Sequence, residues 1–82
     1  MGEYLLKKNG TIGTGVWSND FNDYTQTGAW SCGNIKLCVN IPNTDEMGVL
    51  FAYNAGTFIF QQYITSVKIY TRIYYSSWNP WY

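Results

Sequence analysis

Asp20 and Asp23 are the first residues along the chain that suggest a reactive or metal-binding site. They flank Asn22 in the segment DFNDYTQTGAWSCG, so three oxygen-bearing side chains fall within four residues. Closely spaced oxygen ligands are typical of calcium loops, and paired carboxylates carry out acid and base catalysis in glycosidases. The segment could therefore hold a metal ion, act on a substrate, or simply turn the backbone.

The spacing does not fit a calcium loop. An EF-hand needs a glycine at its sixth position and a glutamate at its twelfth, and a loop that starts at Asp20 has neither. We predict instead that Asp20 and Asn22 form Asx-turns, in which the side chain bonds to nearby backbone. Phe21 and Tyr24 are expected to pack into the core from this loop, and no metal site is expected.

The inventory of reactive side chains disfavours catalysis. The chain has no histidine and only five carboxylates, so the commonest general base and the usual catalytic dyads are missing. A glycosidase also needs two carboxylates that face each other across a cleft, which a sheet of this size scarcely makes. We predict a protein that is not an enzyme and uses no cofactor.

Aromatic residues near the C-terminus are better candidates for a binding site. Trp78, Asn79, Trp81 and Tyr82 lie together in the tail SSWNPWY, and Tyr74 precedes it. Trp and Tyr rings can stack on the flat apolar faces of sugars beside a few polar groups. Such rings also fill cores and interfaces. That structural role is favoured for Trp78, and the two roles are weighted equally for Trp81 and Tyr82.

Composition narrows the range of partners. Five basic residues are scattered and balanced by five acidic ones, which disfavours nucleic-acid binding. No apolar run is long enough to cross a bilayer, and no signal-peptide pattern is present. Charged residues make up 12% and aromatic residues 20% of only 82 residues. A core of this size is marginal, so a partner subunit or a longer parent chain is expected.

The two cysteines are expected to be free, buried thiols. Nothing marks the chain as exported, which is where a small domain would use a disulfide. If residues 32–38 formed one continuous strand, Cys32 and Cys38 would be roughly 20 Å apart, too far to pair. A turn at Gly33 and Asn34 would bring them together, so the pairing stays open.

Period-2 alternation predicts that the chain is built from strands. In residues 34–41 the apolar side chains Ile35, Leu37, Val39 and Ile41 share one face, as in a half-buried strand. Residues 48–53 alternate in the same way.

Two hairpins are predicted from the turn signals. Residues 49–53 and 57–65 should pair around Gly56, with Val49, Phe51 and Tyr53 on one side of their strand.

Residues 67–75 should form the next strand. The apolar series in it should meet the core, whereas the other series should face solvent or a partner. The first series is Val67, Ile69, Thr71, Ile73 and Tyr75, and the second is Lys68, Tyr70, Arg72 and Tyr74.

These elements predict an all-β protein, a small antiparallel β-meander or knob of about four or five strands. Residues 1–17 are expected to lead into the sheet, and residues 18–82 to form the single domain. Residues 42–48 are expected to form a polar loop. Residues 76–82, the C-terminal tail, contain Pro80, which should prevent regular strand pairing.

The order of the motifs resembles the pyocin-knob type domain of tail-fibre and receptor-binding proteins from phages, prophages and phage-tail-like bacteriocins. The segment DFNDYTQTGAW is similar to that family's D-L-N-D-x-T-x-x-G-x-Y, with Phe21 and Trp30 as replacements. An N-x-P, a G-x-L, a glycine turn, a Q-x-Y, an R-x-Y and a W-x-x-W follow in order, over residues 18–82. The matching residues are Asp20, Asn22, Asp23, Thr25, Gly28, Asn40, Pro42, Gly48, Gln62, Arg72, Trp78 and Trp81.

The resemblance implies a small β-rich knob within a trimeric fibre. The matching residues are expected to be chiefly structural, together with Phe21 and Trp30. Departures occur in the loop 42–48 and at Thr65-Ser66, where the family's usual glycine is missing. Loops of this kind are where receptor specificity is expected to vary.

The sequence thus supports one hypothesis and two rivals. The hypothesis is a fibre module on a phage or prophage particle that binds a bacterial surface or cell-wall glycan. This module is expected to be made in the host cytoplasm and to act outside it. It is expected to form a homotrimer and to assemble with other tail or baseplate proteins. Trp81→Ala is then expected to abolish binding without unfolding the domain. The rivals are a purely structural trimerisation or spacer knob and the cell-wall-targeting module of a phage lytic enzyme.

Overall fold

The computed structural model describes residues 10–12 and 19–82, and it confirms the all-β fold. Eight strands and two 3-10 turns occur in these ranges, with no α-helix, and no helix among them is long and apolar enough to span a membrane. The strands are β1 (Gly10–Ile12), β2 (Asn19–Asp20), β3 (Gly28–Cys32), β4 (Cys38–Val39), β5 (Gly48–Asn54), β6 (Ile59–Thr65), β7 (Ile69–Tyr75) and β8 (Ser77–Trp78); the turns are Phe21–Asp23 and Ile35–Leu37.

Six strands form the main sheet in the order β1-β3-β5-β6-β7-β8. Neighbours from β3 to β8 pair antiparallel, which is the predicted meander. Most of the predicted lead-in segment, residues 1–17, lies outside the described residues. Its described part is β1, which adds a parallel strand at the β3 edge. Strands β2 and β4 form a separate two-stranded parallel pair.

Both predicted hairpins are present, and their turns differ in chemistry. Between β5 and β6, Gly56 has a φ of +88°, and its N–H donates to the Asn54 side chain at 2.8 Å. Between β6 and β7, the Thr65 hydroxyl accepts from the N–H groups of Val67 and Lys68 at 3.2 and 3.0 Å. A threonine side chain therefore closes the turn that lacks a glycine.

The predicted alternation of β5 is confirmed, and the structure shows which of its two sides is buried. Leu50 and Ala52 are completely buried, whereas Val49, Phe51 and Tyr53 are exposed. We call the buried side of the sheet the inner face and the opposite side the outer face.

In β7 the predicted sides are reversed. Arg72 is buried, and Tyr70 and Tyr74 beside it are partly buried. The apolar Ile69 is 53% exposed and Tyr75 60% exposed. The expectation that the Arg72 face looks at solvent or a partner was therefore wrong for Arg72 itself.

The second layer of the molecule determines which side is buried. The two stretches of chain that flank β3 pack on the inner face and contribute Phe21, Tyr24 and Ile35 to the same core as Leu50 and Tyr63. Both sides of β5 carry apolar residues, so burial follows from where these two stretches pack rather than from hydropathy alternation.

The prediction of one strand over residues 34–41 was wrong. The Asn34 side chain accepts a hydrogen bond from the Lys36 N–H at 3.0 Å and starts a 3-10 turn. As a result Ile35 is buried, whereas Leu37 and Val39 are exposed. A side chain that bonds to nearby backbone offers an alternative to the sheet ladder.

The bend after β3 brings the two cysteines into one core. Cys32 and Cys38 are both buried and free, which confirms the predicted thiols.

The C-terminal tail pairs with β7 despite Pro80. The N–H of Asn79 donates to the Ile73 carbonyl at 2.9 Å, and Thr71 and Tyr82 exchange two backbone hydrogen bonds of 2.7 and 2.9 Å. Because Pro80 stands between these pairing points, its missing N–H does not stop the tail from covering the sheet edge.

Candidate functional site

The Asp20 loop has a structural role. The Asp20 carboxylate caps the first 3-10 turn by accepting from the Asn22 N–H at 2.8 Å. The same oxygen accepts from the Asn40 amide at 2.8 Å, and Asn40 adopts a positive φ of 57°. The predicted Asx-turn at Asp20 is thus confirmed, whereas the one predicted at Asn22 was wrong, because the buried Asn22 Oδ1 accepts no hydrogen bond from the described residues. Among the residues described, no group of three or more His, Cys, Asp or Glu could hold a metal ion.

A buried glutamine fixes this loop to the sheet. The Gln61 amide nitrogen donates to the Phe21 carbonyl at 2.6 Å and to the Tyr24 carbonyl at 2.9 Å. The Phe21 and Tyr24 rings are buried, as predicted, and the Tyr24 ring meets the Trp30 ring edge-on at 4.9 Å. A completely buried amide that satisfies two loop carbonyls holds the second layer in register with β6.

The sequence prediction assigned the glutamine of the Q-x-Y motif in the segment QQY to Gln62, which was wrong. Gln62 lies on the outer face, where its amide is 3.5 Å from the Thr71 hydroxyl. Gln61 is the completely buried residue. The motif itself points to the correct residue, because a Q-x-Y pattern that ends at Tyr63 begins at Gln61.

Arg72 continues the same buried network. Its Nε donates to the Gln61 side-chain oxygen at 2.8 Å, and its guanidinium lies 3.9 Å from the Trp78 ring centre and 4.5 Å from that of Trp81. A guanidinium is planar and weakly hydrated, so it can lie between two indoles and still make directional hydrogen bonds.

Burial shifts the titration of Arg72. It lowers the pKa of the guanidinium to about 10, and the charge of Asp20 opposes that shift. The group stays positively charged near neutral pH. Its Nη2 is buried and has no hydrogen-bond acceptor within the described part of the chain. Aromatic faces therefore supply much of the stabilisation that a carboxylate would otherwise give this charge.

The five predicted glycan-binding residues occupy one edge of the sheet but do not form one exposed surface. The Trp81 Nε1 donates to the Asn40 carbonyl at 3.0 Å, and its ring meets Phe21 edge-on at 6.2 Å. The Trp78 ring meets the Tyr74 ring edge-on at 5.2 Å. These three side chains are partly buried.

The other two candidates are accessible. Tyr82 is 64% exposed, and Asn79, which follows β8 directly, is also exposed. Both are held in place by the backbone pairing of the tail with β7. The edge thus has an inner part that packs against Arg72 and an outer part that can contact a ligand.

The sequence matches no family model and no curated protein. The fold is nevertheless similar to that of a solved structure, an N-truncated R2-type pyocin tail fibre, with a TM-score of 0.75 and 25% sequence identity. The similarity covers 89% of this chain and 30% of the tail-fibre chain, so this chain spans less than a third of that fibre's length. It confirms the resemblance to pyocin-knob type tail-fibre domains that the order of the motifs indicates.

Proposed function

Because the chain shares its fold with part of a pyocin tail fibre, we propose that it is a non-enzymatic tail-fibre module. The observation that carries this proposal is the structural match over 89% of the chain. The module would be made in the cytoplasm of the producing cell and would act outside it, on the fibre of a phage-like particle. Fibre modules of this type would contribute to adsorption.

The ligand that we propose is a bacterial surface glycan, bound at the sheet edge formed by β8 and the tail. Tyr82 offers an exposed ring and Asn79 an exposed amide, the combination that sugar recognition uses. The partly buried Trp78, Tyr74 and Trp81 would support them from below. Several weak sites on one fibre would act together through avidity.

Tyr82→Ala tests this site with little risk to the fold. The side chain is mostly exposed, while the backbone groups that pair with Thr71 remain. We expect this variant, and Asn79→Ala, to lose binding to intact cells and to a glycan array while keeping the wild-type circular dichroism spectrum. Leu37→Ala, at an exposed residue in the second 3-10 turn, serves as the control and should bind normally. Normal binding by both edge variants would sink the site assignment.

Trp81→Ala, the substitution that the sequence suggests, is a less specific test. It removes the hydrogen bond to the Asn40 carbonyl and one of the two indoles around Arg72. Loss of binding in that variant could come from loss of the fold, so its unfolding free energy must be measured beside its binding.

A spacer role is the second candidate function. It is favoured by the engagement of Trp78 and Trp81 with Arg72, which gives both rings a structural task. A spacer would assemble normally and bind no glycan or cell, whereas the adhesion module would do both. Light scattering on purified protein, combined with the array, separates the two candidates.

A further inference from the structure

The outer face of the main sheet is apolar across its three longest strands. Val49 on β5 stands beside Ile64 on β6, which stands beside Ile69 on β7. Tyr53 and Phe60 form a second row. Each of these side chains is between 38% and 53% exposed, so the face is not covered by the described part of the chain.

This face also lacks charge. The charged side chains among the described residues lie in β2, the 3-10 turns, the loops, the hairpin turn and the inner face, and none belongs to the outer rows. Its polar groups in the central row are the Gln62 amide and the Thr71 hydroxyl, and these two already contact each other at 3.5 Å. A sugar would need more hydrogen-bonding groups than that.

The exposed area is large for a domain of this size. Phe51 belongs to the central row, and Phe58 extends the apolar surface by stacking on Tyr75 at 5.0 Å. With these and the five residues of the outer rows, eight apolar side chains are 38–60% exposed. At roughly 200 Å² for each large side chain, the exposed area is on the order of 700 Å². That exceeds the largest apolar patch of most monomers and approaches the ~800 Å² that each partner contributes to a stable interface.

We propose that the outer face is the interface between copies of this chain, three of which pack their outer faces around a common axis. Rotational symmetry brings each residue near the axis close to its own counterparts, so a charged side chain there would meet like charge. An uncharged apolar face avoids that repulsion and gains by burial. The number three rests on the proposed fibre function; the choice of surface rests on the geometry of the sheet.

The test measures the mass of the whole chain in solution by light scattering and sedimentation. The wild type should be a trimer, and Phe51→Glu and Ile64→Lys should be monomers with an unchanged circular dichroism spectrum. Leu37→Glu adds a charge at a similarly exposed residue away from this face, and it should remain a trimer. A monomeric or dimeric wild type would overturn the proposal, and so would a trimer that tolerates both charges.

A cross-linking measurement covers the case in which the charged variants do not fold. Gln62→Cys places one thiol on the outer face, whereas both native thiols are buried. A short bismaleimide should join copies of this variant and leave copies of Leu37→Cys unjoined. Equal cross-linking of the two variants would contradict the proposed interface.

The two proposals can fail separately. A trimer that depends on the outer face but binds no glycan or cells would support the proposed interface and contradict the proposed adhesion function. Glycan binding by a protein whose oligomeric state is unchanged by the outer-face charges would support the adhesion function and contradict the proposed interface.

Discussion

Arg72 shows how one residue can have the opposite role from the one its type suggests. A cation among alternating residues on a strand predicts a solvated face, yet this guanidinium is buried between two indoles and bonded to Gln61. The partners come from the C-terminal tail and from the neighbouring strand β6, so they lie outside the strand that carries Arg72. An isolated strand cannot stabilise a buried charge, so this role depends on the assembled fold.

Replacing Arg72 by lysine should be costly although the charge is kept. A lysine cannot reproduce the Nε hydrogen bond at the same position or stack as a plane between Trp78 and Trp81. We expect Arg72→Lys to lower the free energy of unfolding by about 2 kcal/mol, measured by urea denaturation. Lys36→Arg, at an exposed site, is the control and should change it by less than about 0.5 kcal/mol. Equal stability of the two variants would show that the stacked geometry contributes nothing.

Because of the Cys38 thiol, the free energy of unfolding should depend on pH in the alkaline range. Burial, followed by the charge of Cys32 and a hydrogen bond with it, raises the pKa of Cys38 from an ordinary 9.0 to about 12. The folded-state pKa lies above that of the unfolded chain, so the unfolded state gives up this proton first as the pH rises. The stabilising contribution is complete below about pH 9 and is lost as the pH approaches about 12.

The check is the unfolding free energy measured from pH 8 to pH 11 by tryptophan fluorescence. The wild type should lose stability over this range, and Cys38→Ala should lose less. Burial also raises the pKa of the Tyr63 hydroxyl, so the unfolding free energy of the Cys38→Ala variant should still decrease somewhat as the pH rises. Parallel curves for the two proteins would exclude Cys38 as a source of the pH dependence.

At the scale of elements, the close pairing of β5 with β6 depends on a glycine. A Cβ on Gly48 would collide with the backbone carbonyl oxygen of Ile64, which cannot move without disturbing the ladder between the two strands. The need for glycine here is one of space, since no positive φ is involved. Gly56 is the opposite case, because it has open space around it and a φ of +88°.

The two glycines should therefore respond differently to substitution. Gly48→Ala should destabilise the protein by about 3 kcal/mol or more, because overpacking must displace backbone. Gly56→Asn should cost less than about 1 kcal/mol, because asparagine tolerates a left-handed conformation. Chemical denaturation of both variants measures the difference. Equal stability of Gly48→Ala and Gly56→Asn would contradict a steric requirement for glycine at position 48.

At the scale of the whole molecule, the sheet separates two kinds of surface. The inner face buries a polar network of Gln61 and Arg72 beneath a second layer, while the outer face leaves apolar side chains exposed. A small chain with a marginal core gains stability if that second surface is also buried. Self-association would then be part of folding rather than an addition to it.

This coupling predicts that thermal stability depends on protein concentration. If trimers form through the outer face, mass action should raise the Tm of the wild type as concentration increases. The Tm of Phe51→Glu should stay constant and lie below that of the wild type. Calorimetry over a hundredfold range of concentration provides the measurement. A concentration-independent Tm for the wild type would contradict coupled assembly.

Sequence patterns alone predict the strands of the two hairpins, the turn at Gly56 and the Asx-turn at Asp20, and the order of the motifs indicates the resemblance to a tail-fibre domain. The strands and turns depend on residues near one another in the chain, and alternation and turn chemistry record such local preferences. Sequence reasoning could not assign the buried face, because Val49 and Phe51 are as apolar as Leu50 and Ala52.

The buried face follows from the packing of the second layer on the sheet. Phe21 and Tyr24 pack on the inner face, and Gln61 and Arg72 find their partners there. The hydrogen bond from Gln61 to Phe21 alone joins positions 40 residues apart. Because burial is a property of the packed layers and not of the strand, the side of the sheet that the second layer covers became the core, and the other side stayed exposed.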